Sequence, residues 1–161
     1  MRISTLIGTS LATAAAAAIG SVVTRPAVET WYPTLRKPAF VPPNWVFPVA
    51  WTTLYADIAV TSASTVDALR DRGDEDLRRS YIGALGANLL LNAGWTWIYF
   101  GQHRLGAASV VSGALTVSSA DLARRAARVD PRAGAALSAY PAWCGFATAL
   151  STSTWWLNRD R

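Results

Sequence analysis

Charge, cysteine and histidine are all scarce in this sequence. Its 161 residues hold one Cys and one His. A lone thiol, Cys144, closes no intrachain disulfide. His103 lies in a short loop far from it, so no Cys/His cluster has metal-ligand spacing. Charged residues make up 16% of the chain, against about 25% in an ordinary soluble domain. Apolar residues reach 52%, yet the mean hydropathy is only slightly positive. Ala, Gly, Ser and Thr fill many of the apolar runs, and small residues suit helices packed on helices inside a bilayer. The net charge is +5, but the basic residues come in short clusters. That excludes the continuous basic face of a nucleic-acid binder and fits the flanks of membrane spans. Neither an acid/base dyad, an activated nucleophile nor a metal site of ordinary catalytic kind stands out.

What the sequence does have is length without charge. Ile3 to Val23 is 21 residues with none, enough to cross a hydrocarbon core of about 30 Å. A secretory signal would look similar, but its apolar core is usually about 7–15 residues long. No clear cleavage site precedes Arg25 and Pro26, so a retained span is expected. Four more runs follow, and Asp57 interrupts the second. Spans are expected at about 3–23, 45–66, 81–100, 105–123 and 134–157, with 24–44 as a loop. The expected fold is all-α, a single integral-membrane bundle of five transmembrane helices, because lipid requires backbones satisfied internally. A soluble Ala-rich bundle is the alternative. Against it, the third run has no charged face, which a soluble amphipathic helix needs. Nine Lys and Arg lie at the N-terminus and in the second and fourth loops, and six lie on the other side. The positive-inside rule then puts the N-terminus in the cytoplasm.

Between the first two runs lies WYPTLRKPAFVPPNWVFPVAW, Trp31 to Trp51. It carries three Trp, one Tyr, two Phe and five Pro. Each proline fixes its own φ and pushes the preceding residue to extended geometry. The stretch up to Pro43 therefore reads as a stiff, largely non-helical loop. Taken alone, its rings fit an interfacial aromatic belt or a lid over a pocket between helices.

These residues resemble the W-Y-x-x-L-x-K-P-x-x-x-P-P-x-W signature of the TspO/MBR family, through Trp31, Tyr32, Leu35, Lys37, Pro38, Pro42, Pro43 and Trp45. WTTLY (Trp51–Tyr55), LNAGWTWIYFG (Leu91–Gly101) and YPAWCGFATAL (Tyr140–Leu150) resemble its second-, third- and fifth-helix elements. The likeness runs from Trp31 to the C-terminus in order and spacing. Four departures stand out. The proline entering the second helix, Pro48, is shifted by one position; Asn88 stands where Gln is frequent; Ser151 replaces an Asn; and Asp57 is unusual.

The resemblance implies a membrane protein that takes a tetrapyrrole, protoporphyrin IX or haem, in a pocket between helices, for sensing, sequestration or transport. It needs no cofactor or metal, and a bacterial cell membrane is its expected setting. With the resemblance, the loop 24–44 is expected as a lid over that pocket, and the ligand-binding residues expected are Tyr32, Pro42, Trp51, Asn92, Trp95, Ala142, Trp143, Phe146, Ala147 and Leu150. Trp faces with an amide at the edge suit a flat macrocycle. Asn92 also fits a purely structural hydrogen bond between helices. A second reading is a light- and oxygen-dependent porphyrin-degrading enzyme, in which Trp51 and Trp143 would be the oxidisable, catalytic pair. A third is a regulatory membrane partner. Gly83 and Ala87, four apart, offer a small-residue face for a homodimer through the third helix. Specific sterol binding is not expected, because Thr152 stands where the sterol pattern needs a Tyr. Asp57 is read as a carboxylate near a helix end or paired with a loop base, with proton carriage or ligand pairing as the sharper role.

Overall fold

The computed structural model describes residues 1–160. Helix α1 covers Ile3–Thr30, α2 Val46–Asp71, α3 Glu75–Thr96 and α4 Leu105–Val129. The last rod is split into α5, Pro131–Leu137, and α6, Ala139–Asn158, with Ser138 between them. Among the described residues there is no strand. The chain is thus the five-rod helical bundle expected.

The helices run longer than the apolar stretches. α1 continues through Arg25 and Pro26 to Thr30, seven residues beyond Val23. A proline inside a helix forfeits one backbone bond. The loop between α1 and α2 therefore spans 31–45 and opens with a 3₁₀ turn at Tyr32–Thr34. The charged segment after Val66 is mostly helix as well. α2 and α3 meet in a tight turn at Arg72–Asp74, where Gly73 takes φ +75°. α1 and α4 are long and apolar enough, by length and composition, to cross a membrane.

Inside a bilayer, water exclusion does little to drive helix on helix, so packing and hydrogen bonds must do it. Small residues supply the close approach. Ala63, Ala108 and Ala126 are fully buried. At Gly134 an added methyl would lie 2.6 Å from the Cα of Ala127, so α5 folds back on α4 only because that side chain is missing. Hydrogen bonds supply the rest. Arg2 and Thr5 at the start of α1 hold Asp67 near the end of α2: the Arg2 backbone N–H reaches its carboxylate, and the Thr5 hydroxyl donates at 2.7 Å. At the same end, Arg72 donates to the Val129 carbonyl at 2.7 Å and Arg125 to Ser80 at 2.8 Å.

The opposite end is aromatic. The final turn of α3, Trp97–Gly101, is π-helical, and the Gln102 N–H reaches back five residues to the Trp97 carbonyl. The Trp31 ring stacks on His103, centroids 4.0 Å apart, and packs edge-on against Tyr99. Trp45 is exposed. Asn158 pins the loop to α6: its amide oxygen accepts the Arg36 N–H at 3.0 Å and its amide N–H donates to the Arg36 carbonyl at 2.8 Å.

Candidate functional site: an aromatic cavity open between two helices

Residues four apart on one helix share a face. On α2 that rule sets Trp51 beside Tyr55; on α3, Trp95 beside Tyr99; on α6, Trp143 beside Ala147, with Leu150 and Ser151 one turn on. On α1 the same spacing aligns Ala17, Ser21, Arg25 and Glu29. These four faces enclose a cavity of about 470 Å³ that runs from the middle of the bundle to its aromatic end. The π-helical turn carries Tyr99 and Phe100, which complete the wall at this end. Trp51 is the hub. Its ring centroid lies 6.5 Å from Trp95, 6.5 Å from Trp143, 5.6 Å from Tyr55 and 6.4 Å from Tyr140. Three helices thus present ring faces and edges to one space.

The wall is not uniformly closed. The lining residues of α3 and α6 are buried or half-buried. The exposed ones are Ser21, Arg25 and Glu29 on α1, with Asn44, Pro48 and Thr52 at or just before the start of α2. The mouth is therefore the seam between α1 and α2. The loop contributes only Tyr32 and Asn44.

Polar groups in this space fall into two kinds. Asn92, 2% exposed, is fully engaged. Its amide oxygen accepts the Tyr55 hydroxyl at 2.7 Å, and its amide N–H donates to the Tyr140 hydroxyl at 3.3 Å. Tyr140 donates onward to Asn88 at 2.9 Å, and Asn88 to Ser118 at 3.1 Å. The two roles weighed for Asn92 hold together: it lines the cavity and ties α2, α3 and α6. In contrast, the indole N–H groups of Trp95 and Trp143 are buried and have no acceptor among the described residues. Buried donors left unpaired are costly, and both of these lie in one cavity wall.

Of the ten residues expected to bind, Tyr32, Trp51, Asn92, Trp95, Trp143, Ala147 and Leu150 line this cavity. Pro42, Ala142 and Phe146 do not. Pro42 is displaced because Asn158 anchors the loop on the end of α6, away from the mouth. Ala142 is exposed, since one residue before Trp143 is about 100° around the helix. Phe146 sits behind the wall, between Trp143 and Phe40 of the loop, at 5.5 and 6.2 Å. Asp57 is likewise outside the cavity. It sits mid-helix in α2, where Thr61 donates to one oxygen at 2.9 Å and the other is buried without a partner. Among the described residues it pairs with no loop base, contrary to that expectation. Gly83 and Ala87 are exposed on the outer face of α3.

The sequence reading did not include Phe47, Tyr55, Tyr99, Phe100 and the whole α1 face. Tyr55 and Tyr99 were legible as the partners, four residues on, of Trp51 and Trp95. The α1 face was not, because an Ala-rich helix shows no face in its sequence.

A bundle of five helical rods around an aromatic cavity defines a multi-pass helical membrane protein with an internal site large enough for a small organic ligand. The sequence pattern of the TspO/MBR family matches residues 9–157, and the chain belongs to that family. It is 36% identical to Protein CrtK of Rhodobacter capsulatus over 148 residues, covering 92% of this chain and 89% of that protein. It is 31% identical to the tryptophan-rich sensory protein of Cereibacter sphaeroides, over 95% of this chain and 91% of that one. To the human translocator protein it is 35% identical, over 78% of this chain and 73% of its relative.

Proposed function

We propose that this membrane protein binds tetrapyrroles, protoporphyrin IX or haem, in the cavity between its helices, for sensing, sequestration or transport. The observation that carries the reading is the trio of Trp51, Trp95 and Trp143 around one space, two of them with unpaired indole N–H groups. Flat apolar walls favour a flat apolar body, and the free donors favour acceptors on it. His103 is stacked under Trp31 and lines no part of the cavity, which favours a metal-free porphyrin or a haem without a protein axial ligand. Porphyrin titrations followed by quenching of Trp fluorescence test this. Trp143→Ala should weaken binding about tenfold, and unchanged affinity there counts against the site.

One observation favours a second reading, light-driven porphyrin degradation. Trp51 and Trp143, two oxidisable rings, lie 6.5 Å apart in the same cavity. Loss of the porphyrin spectrum under light and oxygen should then need both residues. Equal loss with heat-denatured protein would sink it.

The charged helix ends support an orientation with the N-terminus in the cytoplasm of a bacterial cell. Arg2, Arg70, Arg72, Arg78, Arg79, Arg124, Arg125 and Arg128 gather there. The exposed Gly83–Ala87 face of α3 supports a homodimer.

A further inference from the structure

We infer that Arg25 at the α1–α2 mouth binds an anionic group, a carboxylate, on the ligand and so fixes which end of an amphipathic ring system stays outermost. The inference rests on the tetrapyrrole reading and adds the part of the ligand that the aromatic walls do not read.

Among the described lining residues, only Arg25 and Glu29 carry charge. Both are on α1, one turn apart, and both are exposed at the seam. Neither makes an ion pair with the other or with any other described residue. Arg preceding Glu by four is the weaker order for a helical ion pair, which leaves the guanidinium available. The deep end of the cavity is made by Ala17, Tyr55, Asn92 and Trp143. Eight helical residues separate Ala17 from Arg25, about 12 Å along α1. A rigid ring body in contact with the deep walls therefore brings its edge substituents to the level of Arg25. The guanidinium offers a planar fork of donors matched to a carboxylate. At that level a carboxylate also keeps contact with water and is spared the cost of burial. Glu29, one turn further out, repels the same group, so the pair sets a threshold against anions that the rings do not hold.

The chemistry read here is a flat apolar body with an acid at one edge. A neutral body of the same shape should enter as readily but gain nothing from Arg25. The probes are protoporphyrin IX and its dimethyl ester, with the full-length protein in phosphatidylcholine nanodiscs. An exposed charge pair supports an effect of about fivefold. Arg25→Gln should weaken the diacid about fivefold and leave the ester unchanged, Arg25→Lys should recover part of the loss, and Glu29→Gln should tighten the diacid alone. Added salt should weaken the diacid and spare the ester. Ester binding in each variant reports that the cavity is still folded. Equal binding of acid and ester by the parent protein, insensitive to Arg25 and to salt, overturns the inference while the tetrapyrrole reading stands. Loss of both probes in Arg25→Gln overturns it too, since Arg25 would then act through the fold. Failure of the parent protein to bind either probe removes both.

Discussion

The chain of hydrogen bonds through Tyr140 makes a prediction that can be worked from the structure. Tyr140 is fully buried in α6. Its hydroxyl accepts from Asn92 at 3.3 Å and donates to Asn88 at 2.9 Å. Tyr140→Phe deletes one oxygen and keeps the ring against Trp51. Both carboxamides then lose a partner, although Asn92 keeps Tyr55 and Asn88 keeps Ser118. In a soluble core, two unpaired groups would cost about 1–3 kcal/mol each. Within a membrane, the unfolded helices find other partners, and a bond between helices averages about 0.6 kcal/mol with a maximum near 1.7. Two such bonds give an expected loss of about 1–3 kcal/mol. Unfolding in detergent followed by circular dichroism measures it. Tyr32→Phe is the control, because the Tyr32 hydroxyl makes no hydrogen bond to any described residue although the ring is buried. It should cost less than about 0.5 kcal/mol. If Tyr140→Phe is as stable as the parent, or Tyr32→Phe costs as much, the chain does not hold the helices together.

Other perturbations probe other parts. Burial raises the Asp67 carboxyl pKa, but the Arg2 N–H, the Thr5 hydroxyl and the Arg2 charge outweigh it, so the folded value lies below 3.8. A depressed carboxylate contributes fully above its unfolded pKa and loses that contribution as pH falls through the folded one. The protection of amides at the start of α1, taken relative to the intrinsic exchange rate at each pH, should therefore be steady at neutral pH and fall below about pH 4, whereas Asp67→Asn should show the lower protection at every pH. Gly134→Ala must displace the backbone of Ala127, so a loss of about 2 kcal/mol or more is expected in thermal unfolding. A Cβ added at Gly83 meets nothing within 4 Å. On the proposed α3 homodimer, Gly83→Leu should lower the dimer fraction in cross-linking while thermal unfolding is no easier, because a helix gains from replacing Gly; an unaltered fraction would remove α3 from the interface.

How much of this was legible in the sequence follows from what each feature depends on. Five rods and their order could be read because charge-free runs of spanning length have one stable form in lipid, the helix. Trp51, Asn92 and Trp143 could be read because they stand in motif stretches, and Tyr55 and Tyr99 follow from helical spacing alone. Helix ends at Thr30, Asp71 and Val129 could not, since polar residues beyond a bilayer continue a helix at little cost. Nor could the placement of Pro42, Ala142 and Phe146 outside the wall, which depends on where Asn158 ties the loop and on how α6 is rotated. The sequence determined the helices and supplied an aromatic set of side chains. Only the tertiary structure decided that Asn92 spends its amide on Tyr55 and Tyr140, that two indole N–H groups stay free, and that the mouth lies between α1 and α2 beside Arg25. Those outcomes depend on distances between residues far apart in the chain, and no local pattern encodes them.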